Sequence, residues 1–461
     1  MAFGGLALLA MLSDAALGST AQSSRSVDPL RVRTPHHPAR VKSVIFLFMD
    51  GGPSQMDTFD PKPRLTQEHL QPISMKTPTT VFNISNKVLA SPFQFKQYGE
   101  CGAPVSDLLP HVATCVDDLT IVRSLVADHS EHTAANYFMH TGSGFQGRPS
   151  VGSWLTYGLG SESRNLPGFI VLENGLIPPG GADVFGNGFL PASYQGTLFR
   201  AGKHPVADLE PAESAPELQR HKLDLLGRLN RSALDRLGPN TQLEATIANY
   251  ELAFRMQVEV PDLLDLSGES ETTRKLYGLD EDDTEEFGRS CLLARRMVQR
   301  GVRFIELLTP LRKGQDRWDQ HRNLEEGHRT NARATDKPIA GLLKDLKSLG
   351  MLDETLVLWG GEFGRTPTAQ IGKNIEEVGR DHNPHGFTMW LAGGGFKGGL
   401  THGATDEYGY YAVENRVPVH DLHATILHQL GLDHEKLTFH YSGRDMRLTD
   451  VHGNVIRDLL A

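Results

Sequence analysis

The stretch SVIFLFMDGGPSQMDTFD, residues 43–60, decides the fold class of this chain. An apolar run over residues 44–49 stops at Asp50, and a Gly-Gly-Pro sequence follows at once. Such a run is typical of a buried strand, and Gly-Gly-Pro ends it in a tight turn. We therefore expect the Asp50 carboxylate at the carboxyl end of a central parallel strand, where open α/β sheets build their sites. Taken alone, Asp50 could equally cap the helix or turn that follows.

Length and composition narrow the class of protein. A chain of 461 residues can hold one large α/β domain or two smaller ones. The net charge of -10 shows no excess of basic residues over acidic ones, which argues against nucleic acid as a partner. Twenty histidines against three cysteines favour a metal site made of imidazole and carboxylate ligands over a thiolate site.

The first residues resemble an export signal. Residues 1–24 have an apolar core and a small-residue end, but no positive charge precedes the core, and it is too short for a membrane span. A start codon placed too far downstream would explain this, and a frayed cytoplasmic N-terminus is the alternative. We favour export to the periplasm or outside the cell. In an exported protein Cys101 and Cys115 could form a disulfide and leave Cys291 unpaired, although spacing alone does not establish this.

The rest of the chain alternates between strand and helix patterns. Apolar runs predict strands at residues 118–125, 169–172, 302–308, 355–359 and 387–392, and helices at 133–141, 334–349 and 421–430. This alternation predicts an α/β fold with a mainly parallel sheet covered on both faces. We expect the strands at 44–49 and 355–359 to be neighbours in that sheet.

The domain organisation follows from the same pattern. Residues 1–37 are interpreted as signal and linker, and residues 38–461 as one α/β domain. Residues 205–300 are charged, rich in Leu and Ala and free of strand runs, which predicts a helical insertion. The Gly-rich residues 393–399 lack the spacing of a phosphate-binding loop, so we interpret them as a turn.

Five segments place His, Asp and Glu side chains beside these apolar runs: Asp50 itself and residues 127–142, 318–328, 360–367 and 379–386. Each is a weak signal alone, because a histidine in a loop is more often a surface or capping residue. Several carboxylates could also form a turn bridge or an ion pair, namely Asp319 with His321, Glu362 with Arg365, and Asp381 with Arg380. Strand ends converge at one sheet edge, however, and a divalent cation needs three or four N/O ligands from separate loops.

At this point the chain resembles a known family. Six motifs carry the resemblance, which covers residues 35–461: FMDGGPSQMDTFDPKP, HTGSGFQGRPSVGSWLTYGLG, GFLPASYQGTLF, GGEFGRTP, GRDHNPHGFTMWLAGGGFKGG and HDLHATILHQLGLDHEKLTFHYSGRDMRLTD. They are similar to the bacterial family labelled domain of unknown function fifteen-oh-one, in the alkaline phosphatase and sulfatase superfamily. The resemblance implies an alkaline-phosphatase-like three-layer sandwich. Members usually carry a twin-arginine export signal, so a truncated N-terminus would fit.

The resemblance also implies a ligand set. The superfamily's first metal-binding Asp matches Asp50, and its paired Asp and His ligands match Asp319 and His321. The acidic residue after a later strand matches Glu362. The distal His matches His385, with His382 as a close competitor and Asp381 nearby.

Two departures from the superfamily pattern change the expected chemistry. Phe363 stands where a metal ligand is usual, so one of two metal sites should be weaker or lost unless Asp381 or His382 fills the gap. The nucleophile position, nine residues before Thr141, falls on His132, where the superfamily has Ser, Thr or a modified Cys. His132 could be a nucleophile that passes through a phosphohistidine, or a metal ligand beside an activated water. We favour the ligand.

Other polar residues are candidates for substrate contacts. Arg365 and Arg148 can present planar forks to a sulfate or phosphate, although a structural salt bridge is an equal alternative for each. Further candidate hydrogen-bond partners are Ser54, Asn136 and Tyr194. His420 and His423 are not expected as ligands, and Asp421 is expected to be a helix N-cap.

Two functions remain open at this stage. The first is an exported hydrolase that uses a divalent cation (Zn, Ca, Mg or Mn) on phosphate or sulfate esters of a small or polymeric substrate such as a carbohydrate. In that enzyme His132 and Arg365 would be the catalytic candidates. The second is a non-catalytic exported protein that keeps the scaffold and binds a metal or another ligand.

Overall fold

The computed structural model describes residues 28–78, 85–200, 205–206, 213, 215–238, 241–312, 317–371 and 377–461. The predicted export signal lies outside the described residues. The strands are β1 (Ser43–Phe48), β2 (Phe95–Tyr98), β3 (Ala103–Ser106), β4 (Leu119–Val126), β5 (Phe169–Glu173), β6 (Thr197–Arg200), β7 (Phe304–Leu308), β8 (Thr355–Gly360), β9 (Gly364–Ile371), β10 (Val378–Asn383), β11 (Phe387–Ala392), β12 (Leu400–His402), β13 (Ala404–Thr405), β14 (Ala412–Glu414), β15 (Val417–Pro418), β16 (Phe439–Tyr441) and β17 (Arg444–Met446). The α-helices are α1 (Gln55–Thr58), α2 (Pro63–Gln67), α3 (His132–Thr141), α4 (Val151–Leu159), α5 (Pro216–Leu237), α6 (Thr241–Leu264), α7 (Glu271–Tyr277), α8 (Glu285–Gln299), α9 (Leu324–Ser348) and α10 (Val419–Gln429).

One nine-stranded sheet forms the centre of the molecule. Its order is β12-β4-β11-β8-β1-β7-β5-β6, and β15 also pairs with β4. Only β11 runs against its neighbours β4 and β8, and the other pairs are parallel. The mainly parallel sheet is therefore confirmed. The prediction that β1 and β8 are neighbours is also confirmed, because Val44 lies opposite Leu356.

Helices cover both faces of this sheet. Successive side chains of a strand point to opposite faces. In β1, Ile45 and Leu47 join a core that includes residues of α6, α8 and α9. Val44 and Phe46 join a second core that includes residues of α3, α4 and α10. Because the central strands are buried on both sides, their sequences are continuous apolar runs rather than alternating ones.

The described residues between 215 and 300 form helices α5 to α8. The last of these, α8, contributes Cys291, Leu292 and Met297 to the core beneath the sheet. The division into a linker, one domain and an insertion stays a prediction. None of the helices within the described ranges is long and apolar enough to cross a membrane.

The suggested disulfide does not form in the structure. Cys101, Cys115 and Cys291 are all free thiols. Cys101 is exposed in the turn that joins β2 to β3, whereas Cys115 is packed in the core. The two side chains therefore face different environments, and burial raises the pKa of the Cys115 thiol.

The strand directions bring several loops to one edge of the sheet. The parallel strands β1, β7 and β8 end there, and so does β4, since it pairs antiparallel to β11. The antiparallel strand β11 begins at that edge, directly after β10. Polar residues that follow β1, β4, β7 and β8, or that precede β11, are consequently neighbours.

Candidate metal centre

The turn after β1 lets the other loops approach closely. Gly51 and Gly52 have φ angles of 104° and 74°, in the left-handed region that favours glycine. A Cβ on Gly51 would lie 2.7 Å from the backbone nitrogen of Asp319, and one on Gly52 would lie 2.7 Å from the Phe363 ring. The two glycines therefore permit the loops after β7 and β8 to close against the β1 turn.

Four side chains meet at this edge: His132, Asp319, His321 and His382. We call them the four-residue cluster, and their ligand atoms all lie within 4.8 Å of one another. The Asp319 carboxylate is central. Its Oδ2 is 3.2 Å from His132 Nε2, and its Oδ1 is 3.1 Å from His321 Nε2 and 3.4 Å from His382 Nε2. The cluster joins the start of α3, the loop after β7 and strand β10.

Hydrogen bonds orient two of these imidazoles. His321 Nδ1 is 2.6 Å from Gln370 Oε1, and His382 Nδ1 is 2.6 Å from the carbonyl of Ser130. In a neutral imidazole an oxygen acceptor at Nδ1 favours a proton there, which directs Nε2 into the cluster. The two Nε2 atoms are only 2.9 Å apart and both face Asp319. The Nε2 atoms of both rings and the Asp319 carboxylate thus form one close group of nitrogen and oxygen atoms.

His132 bridges two carboxylates. Its Nδ1 is 2.7 Å from Glu362 Oε1, while its Nε2 faces Asp319. Burial disfavours the protonated ring, but the hydrogen bonds and charges of Asp319 and Glu362 outweigh burial and raise the pKa of His132 to about 9. Its Nδ1 contact has the same pattern as those of His321 and His382: an oxygen acceptor on Nδ1 with Nε2 directed to the cluster.

Arg365 holds Asp319 in place. Its side chain is fully buried, and its Nη2 donates to Asp319 Oδ1 at 2.6 Å. It also donates to the carbonyls of Gly51 and Gly52. Burial opposes the charge of Asp319, but Arg365 and the three imidazoles keep the pKa of that carboxyl far below its usual range.

Two further acidic residues, Asp50 and Glu362, lie beside the cluster. The Gly51 backbone nitrogen donates to both carboxylate oxygens of Glu362, at 3.1 and 3.2 Å. The neighbouring Asp50 is 2% exposed and forms an ion pair with Arg317. Neither oxygen of Asp50 accepts a hydrogen bond of normal geometry from the described residues. Asp50 and Glu362 thus adjoin the four-residue cluster without belonging to it.

A family model matches residues 41–460 of the chain, and its description is Protein of unknown function (DUF1501). The chain belongs to this family. No functionally curated protein shows a significant sequence match.

Several solved structures are weakly similar to this DUF1501 protein. PsFucS1 sulfatase from Pseudoalteromonas sp. is 13% identical with a TM-score of 0.37, covering 87% of this chain and 69% of that one. The lipoteichoic acid synthase LtaP from Listeria monocytogenes is 10% identical with a TM-score of 0.34, covering 91% and 78%. An alkaline phosphatase from the Antarctic bacterium TAB5 is 12% identical with a TM-score of 0.29, covering 79% and 92%.

Of the two competing histidines, His382 belongs to the cluster and His385 does not. The pairing of β9 with β10 shifts register between Arg380 and His382, and this bulge sets His382 opposite Arg365. His385 lies beyond the strand, where its ring packs 5.7 Å from Tyr410 and 5.5 Å from Tyr411. The expected ligand His385 therefore lies outside the cluster. Asp381 accepts a hydrogen bond from the backbone of His382 and is not a member either.

Arg365 does not present its guanidinium to a substrate, contrary to the expectation. All of its nitrogens donate to the protein: Nε to Gly52, Nη1 to the carbonyl of Arg380 at 3.2 Å, and Nη2 to Asp319 and Gly51. Its ion-pair partner is Asp319 and not Glu362. It is consequently a positioning residue for Asp319.

Ser54 is likewise engaged in a buried network. Its hydroxyl donates to Asp57 at 2.5 Å, and Asp57 accepts from Arg380 at 2.7 Å. Arg380 thus pairs with Asp57 and not with Asp381. Burial opposes the charge of Asp57, but Arg380 outweighs it and lowers the pKa of the carboxyl.

The remaining candidates also contact other parts of the protein. Three candidates for substrate contacts bond elsewhere: Asn136 to the carbonyl of Pro179, Tyr194 to Arg33 and the carbonyl of Pro29, and Arg148 to Asp450. Three residues near the start of α10 are structural: His420 with the carbonyl of Gly142, His423 with that of Met139, and Asp421 with the backbone nitrogen of Asn454. Asp421 is not the N-cap of α10, because the helix begins two residues earlier, after Pro418.

Three residues of the site were not found from the sequence. Gln370 and Ser130 fix two imidazoles through contacts that depend on the position of β9 and of the loop after β4. Arg317 had one available signal, since it is a basic residue two positions before Asp319.

Proposed function

We propose that this protein is an exported, metal-dependent hydrolase of phosphate or sulfate esters, acting on a carbohydrate or an extracellular polymer. The four-residue cluster is the observation that carries this proposal. Membership of the family and the superfamily resemblance of the motifs support the reaction type.

The donor atoms of the cluster fit a divalent cation. Three imidazole nitrogens and one carboxylate oxygen make a four-ligand set of the kind that zinc and related transition metals prefer over magnesium or calcium. In metal sites a ligating histidine almost always donates its other N–H to an oxygen. His132, His321 and His382 all have such an acceptor, namely Glu362, Gln370 and the carbonyl of Ser130.

Water is the proposed nucleophile. A divalent cation held by the cluster would lower the pKa of a water molecule towards about 7 and polarise an ester oxygen. The water oxygen would attack phosphorus or sulfur, the bond from that atom to the ester oxygen would break, and a proton released by the water would leave with the alcohol. In this scheme His132 is a ligand whose orientation Glu362 fixes, and Arg365 holds the Asp319 carboxylate at the cluster.

One observation favours the second candidate, a non-catalytic exported protein that binds a metal. Arg365, the arginine expected to hold an anionic substrate, is used entirely within the protein. A protein that keeps the metal cluster without an anion-binding arginine would bind the cation and turn nothing over.

The experiment that separates the two is elemental analysis combined with assays on aryl phosphates and aryl sulfates, with and without chelator. The hydrolase predicts a bound cation and chelator-sensitive turnover. A bound cation without turnover across a broad ester panel would establish the binding protein instead. Purified and reconstituted protein that holds no ion would exclude both.

Single substitutions test the residues. His321→Ala and His382→Ala should each lose the ion, whereas the matched control His385→Ala should retain it, because His385 lies outside the cluster. For His132→Ala, loss of the ion identifies a ligand. Loss of turnover with the ion retained would identify a nucleophile or an acid/base group instead.

A further inference from the structure

Two buried carboxylates lie beside the cluster, and neither oxygen of one of them, Asp50, accepts a hydrogen bond of normal geometry from the described residues. Asp50 is 2% exposed and Glu362 is fully buried. The amide of Gly51 holds Glu362 directly next to the Asp50 backbone. A buried carboxylate is costly unless a cation or several hydrogen bonds compensate it. In a two-metal centre the compensation would come from a second divalent cation.

In this chain a cationic side chain, Arg317, lies at Asp50. Its Nη1 forms an ion pair with Asp50, and its Nη2 donates to the carbonyl of Ile177 at 2.6 Å. The charges of Glu362 and Asp319 also act on Arg317. The guanidinium therefore lies in the combined field of three carboxylates. An arginine guanidinium stays protonated in proteins.

The backbone around Arg317 is also held. Its carbonyl accepts hydrogen bonds from the side chains of Gln320 and Asn331. Trp318, the next residue, donates from its backbone nitrogen to the carbonyl of Asp50. The arginine is thus fixed at both its backbone and its head group, and it is not a loose surface side chain.

We propose that Arg317 replaces the second divalent cation, so that the centre holds one ion in the four-residue cluster and a guanidinium at Asp50. This inference rests on the proposed metal-binding function and specifies its stoichiometry. A second dication at Asp50 would have to displace the ion pair and then lie next to a guanidinium, which like-charge repulsion disfavours. The four-residue cluster meanwhile already supplies four ligands without Asp50 or Glu362.

The test is the number of ions bound per chain, measured by elemental analysis after equilibrium dialysis against zinc. The wild type should bind one ion, and Asp50→Asn should still bind one. Arg317→Met keeps the bulk of the side chain without its charge, and it should bind a second ion, because Asp50 then needs another cation. Arg317→Met combined with Asp50→Asn should return to one. Arg322→Met is the matched control, since Arg322 is exposed and nearby, and it should bind one.

Thermal unfolding gives a second readout that does not depend on the metal count. In metal-free protein, Arg317→Met should lower the midpoint because Asp50 loses its partner, and adding Asp50→Asn should recover much of the loss. If Arg317→Met fails to fold, the wild type and Asp50→Asn still decide the question, because two ions in the wild type and one in Asp50→Asn would overturn the proposal.

Two results would overturn the proposal. One is a wild type with two ions of which Asp50→Asn loses one. The other is a folded Arg317→Met protein that stays at one ion. Failure of the proposed function has a different signature, because His321→Ala and His382→Ala would then leave the metal content of the protein unchanged.

Discussion

A carboxylate lies in the interior of the central sheet. Glu306, in β7, is fully buried, and its Oε1 is 2.7 Å from His140 Nε2. His140 Nδ1 is 2.7 Å from the carbonyl of Asn136, so both ring nitrogens face acceptors. Burial opposes protonation of His140, but Glu306 outweighs it and raises the pKa of the ring. A proton on His140 therefore makes a paired and hydrogen-bonded charge with Glu306, which is the form in which a sheet interior tolerates charged groups.

This ion pair should make stability depend on pH. Because the pKa of His140 is higher in the folded protein than its unfolded value of about 6.5, the pair stabilises fully below about pH 6.5. The contribution is lost as the pH rises through the folded-state pKa. Glu306→Gln removes it, so the variant should lose more free energy of unfolding at pH 6 than at pH 9. The loss at pH 6 should be up to about 3–5 kcal/mol, the cost of breaking a buried pair.

Urea denaturation of the wild type and of Glu306→Gln at the two pH values measures this difference. Glu414→Gln, at an exposed position, is the control and should change little at either pH. A loss of equal size at pH 6 and pH 9 would show that the pair is neutral.

At the scale of single residues, the sequence predicted where polar residues lie in the fold better than it predicted which side chains they contact. Asp50 and Glu362 follow apolar runs, so their place at the sheet edge could be inferred. Their contacts could not, because the choice between Asp319 and Glu362 as the partner of Arg365 depends on side-chain directions. The choice between His382 and His385 depends on a one-residue bulge that the letters GRDHNPHG do not reveal.

The hairpin of β9 and β10 is one of the elements that the sequence patterns missed. Its strands are largely buried, yet they contain Gly, Arg, Thr, Asp and His in place of alternating apolar residues. A period-two apolar pattern identifies a strand only when one face meets an apolar core. This hairpin instead buries polar groups that bond one another, such as Arg380 with Asp57. Helix α9 was also predicted too short, since it begins at Leu324 with a charged first turn and continues through Pro338.

A substitution in the hairpin should weaken metal binding without touching a ligand. A Cβ on Gly379 would lie 2.2 Å from the backbone carbon of His321 and 2.3 Å from the carbonyl oxygen of Gln320. Gly379→Ala must therefore move β10 away from the loop after β7, which separates His382 from His321. The affinity for the ion should fall by about 10–100-fold, as it does when supporting residues of a metal site are changed.

Competition with a chromophoric chelator measures the affinity, and circular dichroism checks the fold. Gly268→Ala is the matched control, because no atom lies within 4 Å of its added Cβ. Equal affinities for the two variants would mean that the hairpin does not set the geometry of the cluster.

At the scale of the whole molecule, the fold class could be predicted because the central strands are buried on both faces. Continuous apolar runs separated by helices admit few arrangements other than a covered parallel sheet. That arrangement alone brings the ends of β1, β7 and β8 together, so convergence at one edge also followed. The antiparallel direction of β11 did not follow, because nothing in its apolar run distinguishes one direction from the other.

The cluster joins parts of the chain that only folding brings together, so ion binding should stabilise the whole molecule. His132 begins α3, Asp319 and His321 follow β7, and His382 belongs to β10. An ion that binds only the folded state adds RT ln(1 + [L]/Kd) to the free energy of unfolding, about 4.1 kcal/mol at a thousand times Kd. A chelator should therefore lower the thermal midpoint of the wild type and of His385→Ala. It should leave the midpoint of a His321→Ala, His382→Ala double variant unchanged.

Because the added free energy is logarithmic in the free ion, the wild-type midpoint should rise steadily with the logarithm of the zinc concentration above Kd. A wild-type midpoint that did not change with zinc, or that rose equally in the double variant, would show that zinc does not bind at the four-residue cluster.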